Sequence, residues 1–246
     1  MTPEDLVTDV CPRIGSMGSA FYRAPVTGAK AEELGLAKRH FYFLGRGGVL
    51  GNVEPAVVAS AFGWFNPSLI DEVWRAGSAV VEPRVAGHAF MECCGAFGRE
   101  RFAGVAGLDA FCAAAGAVAD AADPAGLALF AGVASEPLAD DAPARALQLV
   151  ATLREYRGSA HLVAVRVAGL DPKTAHFMRR PNDGPLFGWP EEERPEIGDE
   201  EVERLADADE ITDRLVRPAY AVLDDEGQQA LRAGLDGMEA ALAPRS

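Results

Sequence analysis

The stretch from Thr152 to Val167, in a helix that begins near Ala142, constrains the fold more than any other part of the chain. Leu149, Leu153, Tyr156, Ala160, Val163 and Val167 recur at alternating spacings of four and three. That spacing lays them along one face of an α-helix. A helix of this length needs partners along its apolar face. No segment elsewhere shows the strict alternation of a half-buried strand. The expected class is therefore all-α, or mostly so, with room for one short hairpin.

The same helix carries a second line of side chains. Arg154, Arg157 and His161 stand at i, i+3 and i+7. At ~100° per residue this line runs roughly 120° round from the apolar face, on the flank. Arg157 and His161 are four apart and stack as neighbours. Guanidinium groups present a planar fork to carboxylate or phosphate, and imidazole moves protons near neutral pH. Nearby cations favour the neutral, basic imidazole. Gly158 sits among them, although glycine inside a helix costs ~1 kcal/mol relative to alanine. It is tolerated where the helix bends or where something must approach the backbone. The plainer alternative is that Arg154 and Glu155 are solvated and that His161 is a hydrogen-bonded packing residue.

Elsewhere the residues punctuate helices. Thr2 or Pro3 opens a first helix, and Glu54-Pro55 and Asn66-Pro67 open two more. Asp171 caps one that begins at Pro172. His40 to Pro55 runs aromatic residues into glycines. It reads as a buried segment meeting a loop, with Arg46 among Gly45, Gly47 and Gly48 as a candidate anion contact. The stretch lacks the GK[ST] ending of a P-loop and is not GxGxxG. A long segment dense in Pro, Gly and acid, around 181–200, reads as a loop. Asp199 to Ala208 and Thr212 to Leu223 read as separate helices.

With 246 residues, 49% hydrophobic and 24% charged, the chain has material for a sizeable core. Its formal net charge of -14 repels phosphate backbones unless a basic face is segregated. No block of Lys and Arg supplies one, so nucleic acid is not expected as a partner. Cys11, Cys93, Cys94 and Cys112 match no zinc or CxxC spacing. They read as buried free thiols of a reducing cytoplasm. MTPEDLVTDV lacks the basic and apolar regions of a signal peptide, and no apolar run reaches ~18 residues. The expected location is cytoplasmic, with no membrane contact. A homodimer is compatible with the sequence.

LGL at 34–36, YFLGR at 42–46, VLG at 49–51, LREYRGSAH at 153–161, AGLD at 168–171, GWPEEE at 188–193 and TDRLVRPAY at 212–220 occur in this order. Together they resemble the actinobacterial helix-turn-helix-like family of the EvbL/SalR type. The resemblance spans roughly residues 10 to 242. It implies a helical N-terminal part with the glycine-rich loop over 1–138. It implies a second part, 139–246, with the central helix and a winged-helix-like C-terminal segment, the two forming one compact unit. Arg46, Tyr42, Arg157 and His161 match the family pattern, and His176 falls near a family histidine. Where relatives tend to carry histidines, this chain has Gly18 and Asn66, so a shared histidine metal or cofactor site is not expected. The segment between the GW and TDRL motifs is short and acidic, which removes much of what would read a major groove.

Three functions follow. The first is a cofactor-independent enzyme of specialised metabolism, performing cyclisation, isomerisation, elimination or hydrolysis on an anionic organic substrate. His161, Arg157 and Tyr22 would be its catalytic groups. Arg46, Arg154, Tyr42, Trp64 and Asn66 would bind the substrate, with Phe62 adding an apolar wall; no metal or cofactor is called for. The second is a ligand-responsive helix-turn-helix regulator. The third is a non-catalytic protein that binds a ligand or partner, its acidic segment from Asp183 to Glu203 meeting a basic surface.

Overall fold

The computed structural model of the chain describes residues 1–243. Within them the fold is all-α, with twelve α-helices and no strand. They are α1 (Pro3–Met17), α2 (Pro25–Glu33), α3 (Lys38–Gly47), α4 (Pro55–Phe62), α5 (Pro67–Ser78) and α6 (Pro83–Phe102). There follow α7 (Leu108–Ala121), α8 (Ala128–Ala134), α9 (Ala142–Val167), α10 (Pro172–Arg179), α11 (Asp199–Tyr220) and α12 (Asp225–Leu242).

α9 is the axis of the molecule. Asp141 caps it, its carboxylate accepting from the Ala144 amide at 3.1 Å, which satisfies one of the orphan N–H groups of a helix start. α6, α11, α7, α1 and α8 all pack around it. Leu149, Leu153, Tyr156 and Ala160 are buried as the spacing predicts, but Val163 and Val167 are 38% and 67% exposed. Near its C-terminus α9 leaves the main core and enters a smaller one with Leu170, Ala175, Leu205 and Ala208. There the inward positions are Ala164 and Val165. The buried face rotates because the second core lies at a different angle round the axis.

The glycine-rich stretch is not a loop. α3 continues to Gly47, and a 3₁₀ turn covers Gly48–Leu50. A methyl on Gly48 would run into the Pro83 carbonyl and the Gly87 backbone, and one on Gly87 would run into Gly48 and Val49. The glycines let two backbones cross at contact distance, which the sequence cannot distinguish from a turn.

α11 is one helix where two were expected, because nothing between Ala208 and Thr212 breaks it and Pro218 falls only in its last turn. The C-terminal part is α10 to α12, without strands among the described residues. The acidic segment after α10 is irregular, tightened by 3₁₀ turns at Gly184–Phe187 and Glu191–Glu193. It is pinned to the α4–α5 link. The Asn66 amide donates to the Phe187 carbonyl at 2.9 Å, and Trp189 Nε1 donates to the Trp64 carbonyl at 2.9 Å.

Candidate functional site

α9, α3, the α1–α2 link and the acidic segment enclose a cavity of about 1740 Å³. That exceeds the ~300–1,000 Å³ usual for small-molecule sites. The cavity has two chemically different ends.

At one end everything converges on Glu155. Its carboxylate is 5% exposed. Arg46 donates to it from Nε at 3.1 Å and from Nη2 at 2.8 Å. Arg154 Nη1 donates to it at 2.6 Å and to the Tyr22 hydroxyl at 3.1 Å. That hydroxyl in turn donates to Glu155 at 3.3 Å. Tyr42 stands one helical turn before Arg46, its oxygen 3.4 Å from Nη1. The Arg46 guanidinium lies 4.5 Å above the Phe62 ring. Gly18 leaves room for Arg154, since a Cβ there would meet its Cδ at 2.8 Å. Burial alone pushes the Glu155 carboxyl up. The guanidiniums of Arg46 and Arg154, with hydrogen bonds from Arg46 and Tyr22, overcome that and hold it down at about 2. Burial pushes the Tyr22 phenol well above its ordinary range, against the pull of Arg154. Two guanidiniums on one carboxylate leave one positive charge in excess.

At the other end two imidazoles sit among guanidiniums that are each paired with an aspartate. His161 Nδ1 lies 2.9 Å from Thr212 Oγ1, which gives its own proton to the Ala208 carbonyl at 2.6 Å. This pattern assigns the imidazole proton to Nδ1 and leaves Nε2 as a bare acceptor. The ring stacks on Trp64, centroids 5.6 Å apart. Burial lowers the His161 pKa, with Asp209 opposing it and Arg157 and Arg179 reinforcing it. Arg157 is tied to Asp213 at 2.8 Å. His176, 5% exposed, packs against Phe187 with centroids 4.0 Å apart, and Phe187 stacks on Phe65 at 4.2 Å. Burial lowers the His176 pKa as well, helped by Arg180.

Of the residues singled out in the sequence, Tyr22, Tyr42, Arg46, Trp64, Arg154, Arg157 and His161 all line this one cavity. Asn66 does not; its side chain caps α5, accepting from the Ser68 amide at 2.9 Å. Sequence reasoning missed Ser159 and Phe187, read Glu155 as solvated, and placed His176 only near a family histidine. A signal existed for Glu155, which stands four residues from both Ala151 and Ser159 on a buried stripe. A carboxylate on such a stripe must find partners. The four cysteines are buried and free, and burial raises the thiols of Cys93, to about 11, and of Cys94. No group of three His, Cys, Asp or Glu among the described residues could hold a metal ion. Among the described residues no helix is long and apolar enough to cross a membrane.

Helix-turn-helix units join two helices through a short turn. α2 and α3 are so joined by Leu34 to Ala37, and the first turn of α3 carries exposed Lys38 and Arg39. A model of the helix-turn-helix family matches residues 8–246. The chain belongs to that family. No curated protein and no solved structure matches it. Membership corrects the expectation that nucleic acid is not a partner. That expectation rested on net charge, which sums over the whole surface, whereas nucleic acid meets a local patch.

Proposed function

We propose that this helix-turn-helix protein is a ligand-responsive regulator whose cleft takes an organic anion and whose α2–α3 pair meets DNA. The observation that carries the proposal is the cationic excess at Glu155, built into a large cavity of a chain belonging to this family. Recognition helices read base edges with their N-terminal residues. Here that position holds Lys38 and Arg39, with Arg23 in the link before α2. All three also line the cavity mouth, so ligand and phosphate backbone compete for one basic rim. Family kinship of the EvbL/SalR type, and with it a setting in specialised metabolism, is part of this proposal.

The test is fluorescence anisotropy at low salt with DNA from upstream of the protein's own gene. The expected result is salt-sensitive binding whose slope in log[salt] falls by about 2 when Lys38 and Arg39 are both changed to Ala. Binding unaffected by that double change, or no binding in low salt, would overturn the DNA half of the reading.

A second reading, an acid–base enzyme acting on the anion, is favoured by the bare Nε2 of His161. In that reading His161 is the base, Arg157 and Tyr22 assist, and Arg46 and Arg154 hold the substrate. Turnover of a candidate substrate that survives His161→Ala would eliminate it.

A further inference from the structure

The His161 end of the cavity holds polar atoms that the protein itself leaves without partners. Ser159 Oγ, His176 Nε2 and Arg157 Nε are buried and make no hydrogen bond, and all three residues line the cavity. Ser159 and His176 are 8% and 5% exposed. Each unmade bond of this kind costs on the order of 1–3 kcal/mol. Clustering of such groups in one cavity is the mark of a site that a ligand completes. The arginines here, Arg157, Arg179 and Arg180, are each paired with an aspartate, so the open atoms of Ser159, His176 and Arg157 suit a hydroxyl or carbonyl group.

Two further features define what lies between the ends. The walls are aromatic, with Trp64, Phe65 and Phe187 already stacking in pairs with their neighbours. The floor is Gly158, where an added Cβ would meet no atom within 4 Å. No packing constraint therefore requires glycine at that helical position, and its cost relative to Ala is unexplained by the fold alone. The open backbone, shared with Gly15 and Gly116 in other helices, leaves room here for a flat ring within the cavity. Arg154 and His161 are seven residues apart and so share one face of α9. At the rise of an α-helix they are separated by ~10 Å along the axis.

We infer that the ligand is a hydroxylated aromatic carboxylic acid of two fused or linked rings. Its carboxylate meets Arg154 at Nη2, the nitrogen not engaged by Gly15, Tyr22 or Glu155, its rings lie over Gly158, and its hydroxyl enters the pocket of His161, Ser159 and His176. The hydroxyl donates to His161 Nε2. This rests on the cleft being a ligand site, as proposed above, and names the class of molecule it selects.

The experiment is isothermal titration calorimetry with three probes. They are a hydroxynaphthoic acid with hydroxyl and carboxylate on opposite rings, naphthoic acid without the hydroxyl, and naphthol without the carboxylate. The hydroxy acid is expected to bind more tightly than either control by on the order of tenfold to a hundredfold, since a site built around a hydroxyl rejects the analogue that lacks it. Combining Ser159→Ala with His161→Phe, which removes the Nε2 acceptor and keeps a ring against Trp64, should abolish discrimination between the hydroxy acid and naphthoic acid while leaving naphthoic acid binding in place. Gly158→Leu should abolish binding of both acids with the melting temperature retained. Equal affinity of wild type for the two acids, with binding still sensitive to Gly158→Leu, overturns this inference and spares the cleft. Binding that ignores both Gly158→Leu and Arg154→Gln overturns the cleft as well. No heat with any of the three probes overturns the ligand class.

Discussion

The two ends of the cavity handle buried polarity in opposite ways. At the Glu155 end every charged group is engaged, and Arg46, Arg154 and Tyr22 close a network around one carboxylate. At the His161 end Ser159 Oγ, His176 Nε2 and Arg157 Nε are left open. The first end therefore contributes to the folded state now, and the second draws on it. A protein keeps strain of the second kind where function requires it. The difference separates what holds the cavity together from what the cavity is for.

The largest expected effect breaks the charged end. Glu155→Ala leaves two buried guanidiniums without a counter-charge, and urea unfolding should show a loss of about 3–5 kcal/mol. A loss no larger than that of an ordinary surface change would mean that the network contributes nothing.

Next is the pH dependence of the same group. Its carboxyl is depressed to about 2 from 4.5, so its stabilisation is complete above the unfolded value and is lost as pH falls towards the folded one. The amount is about 3 kcal/mol. Stability measured from pH 6 downward, for wild type against Glu155→Gln, should converge in acid. Parallel curves would assign the acid loss to other carboxylates.

The His161 end should respond with the opposite sign. His176→Phe removes an imidazole nitrogen that has no partner and keeps a ring against Phe187. A gain on the order of 1 kcal/mol is expected in the absence of ligand. A loss of comparable size would mean that the histidine is satisfied in solution and that the contrast between the ends is false.

The smallest effect concerns the floor. Gly158→Ala should stabilise by about 0.5–1 kcal/mol, readable as a rise in melting temperature. A fall would give the glycine a structural reason after all.

The axial helix was legible from its residues because periodicity and capping act locally. Its predicted start at Ala142, the Asp171 cap and the four core positions from Leu149 to Ala160 all follow from spacing alone. What was not legible depends on partners distant in sequence. Glycines at a helix crossing look like glycines in a turn until the second helix is known. Arg46 reads as free for an anion until Glu155, 109 residues away, is found against it. The acidic segment reads as a solvated loop, yet it supplies Phe187 to the cavity wall. His176 carries no local mark of being without a partner, because that depends on which groups surround it.

The bare crossing of Gly48 and Gly87 sets a limit on how this chain can vary. Arg46 lies two residues before Gly48, so any side chain wedged into the crossing would lever α3 off α6 and draw the guanidinium away from its carboxylate. Variants that silence the cavity should therefore arise at two positions that touch no ligand, and the size of the smallest amino acid, not its charge, is what they would have lost.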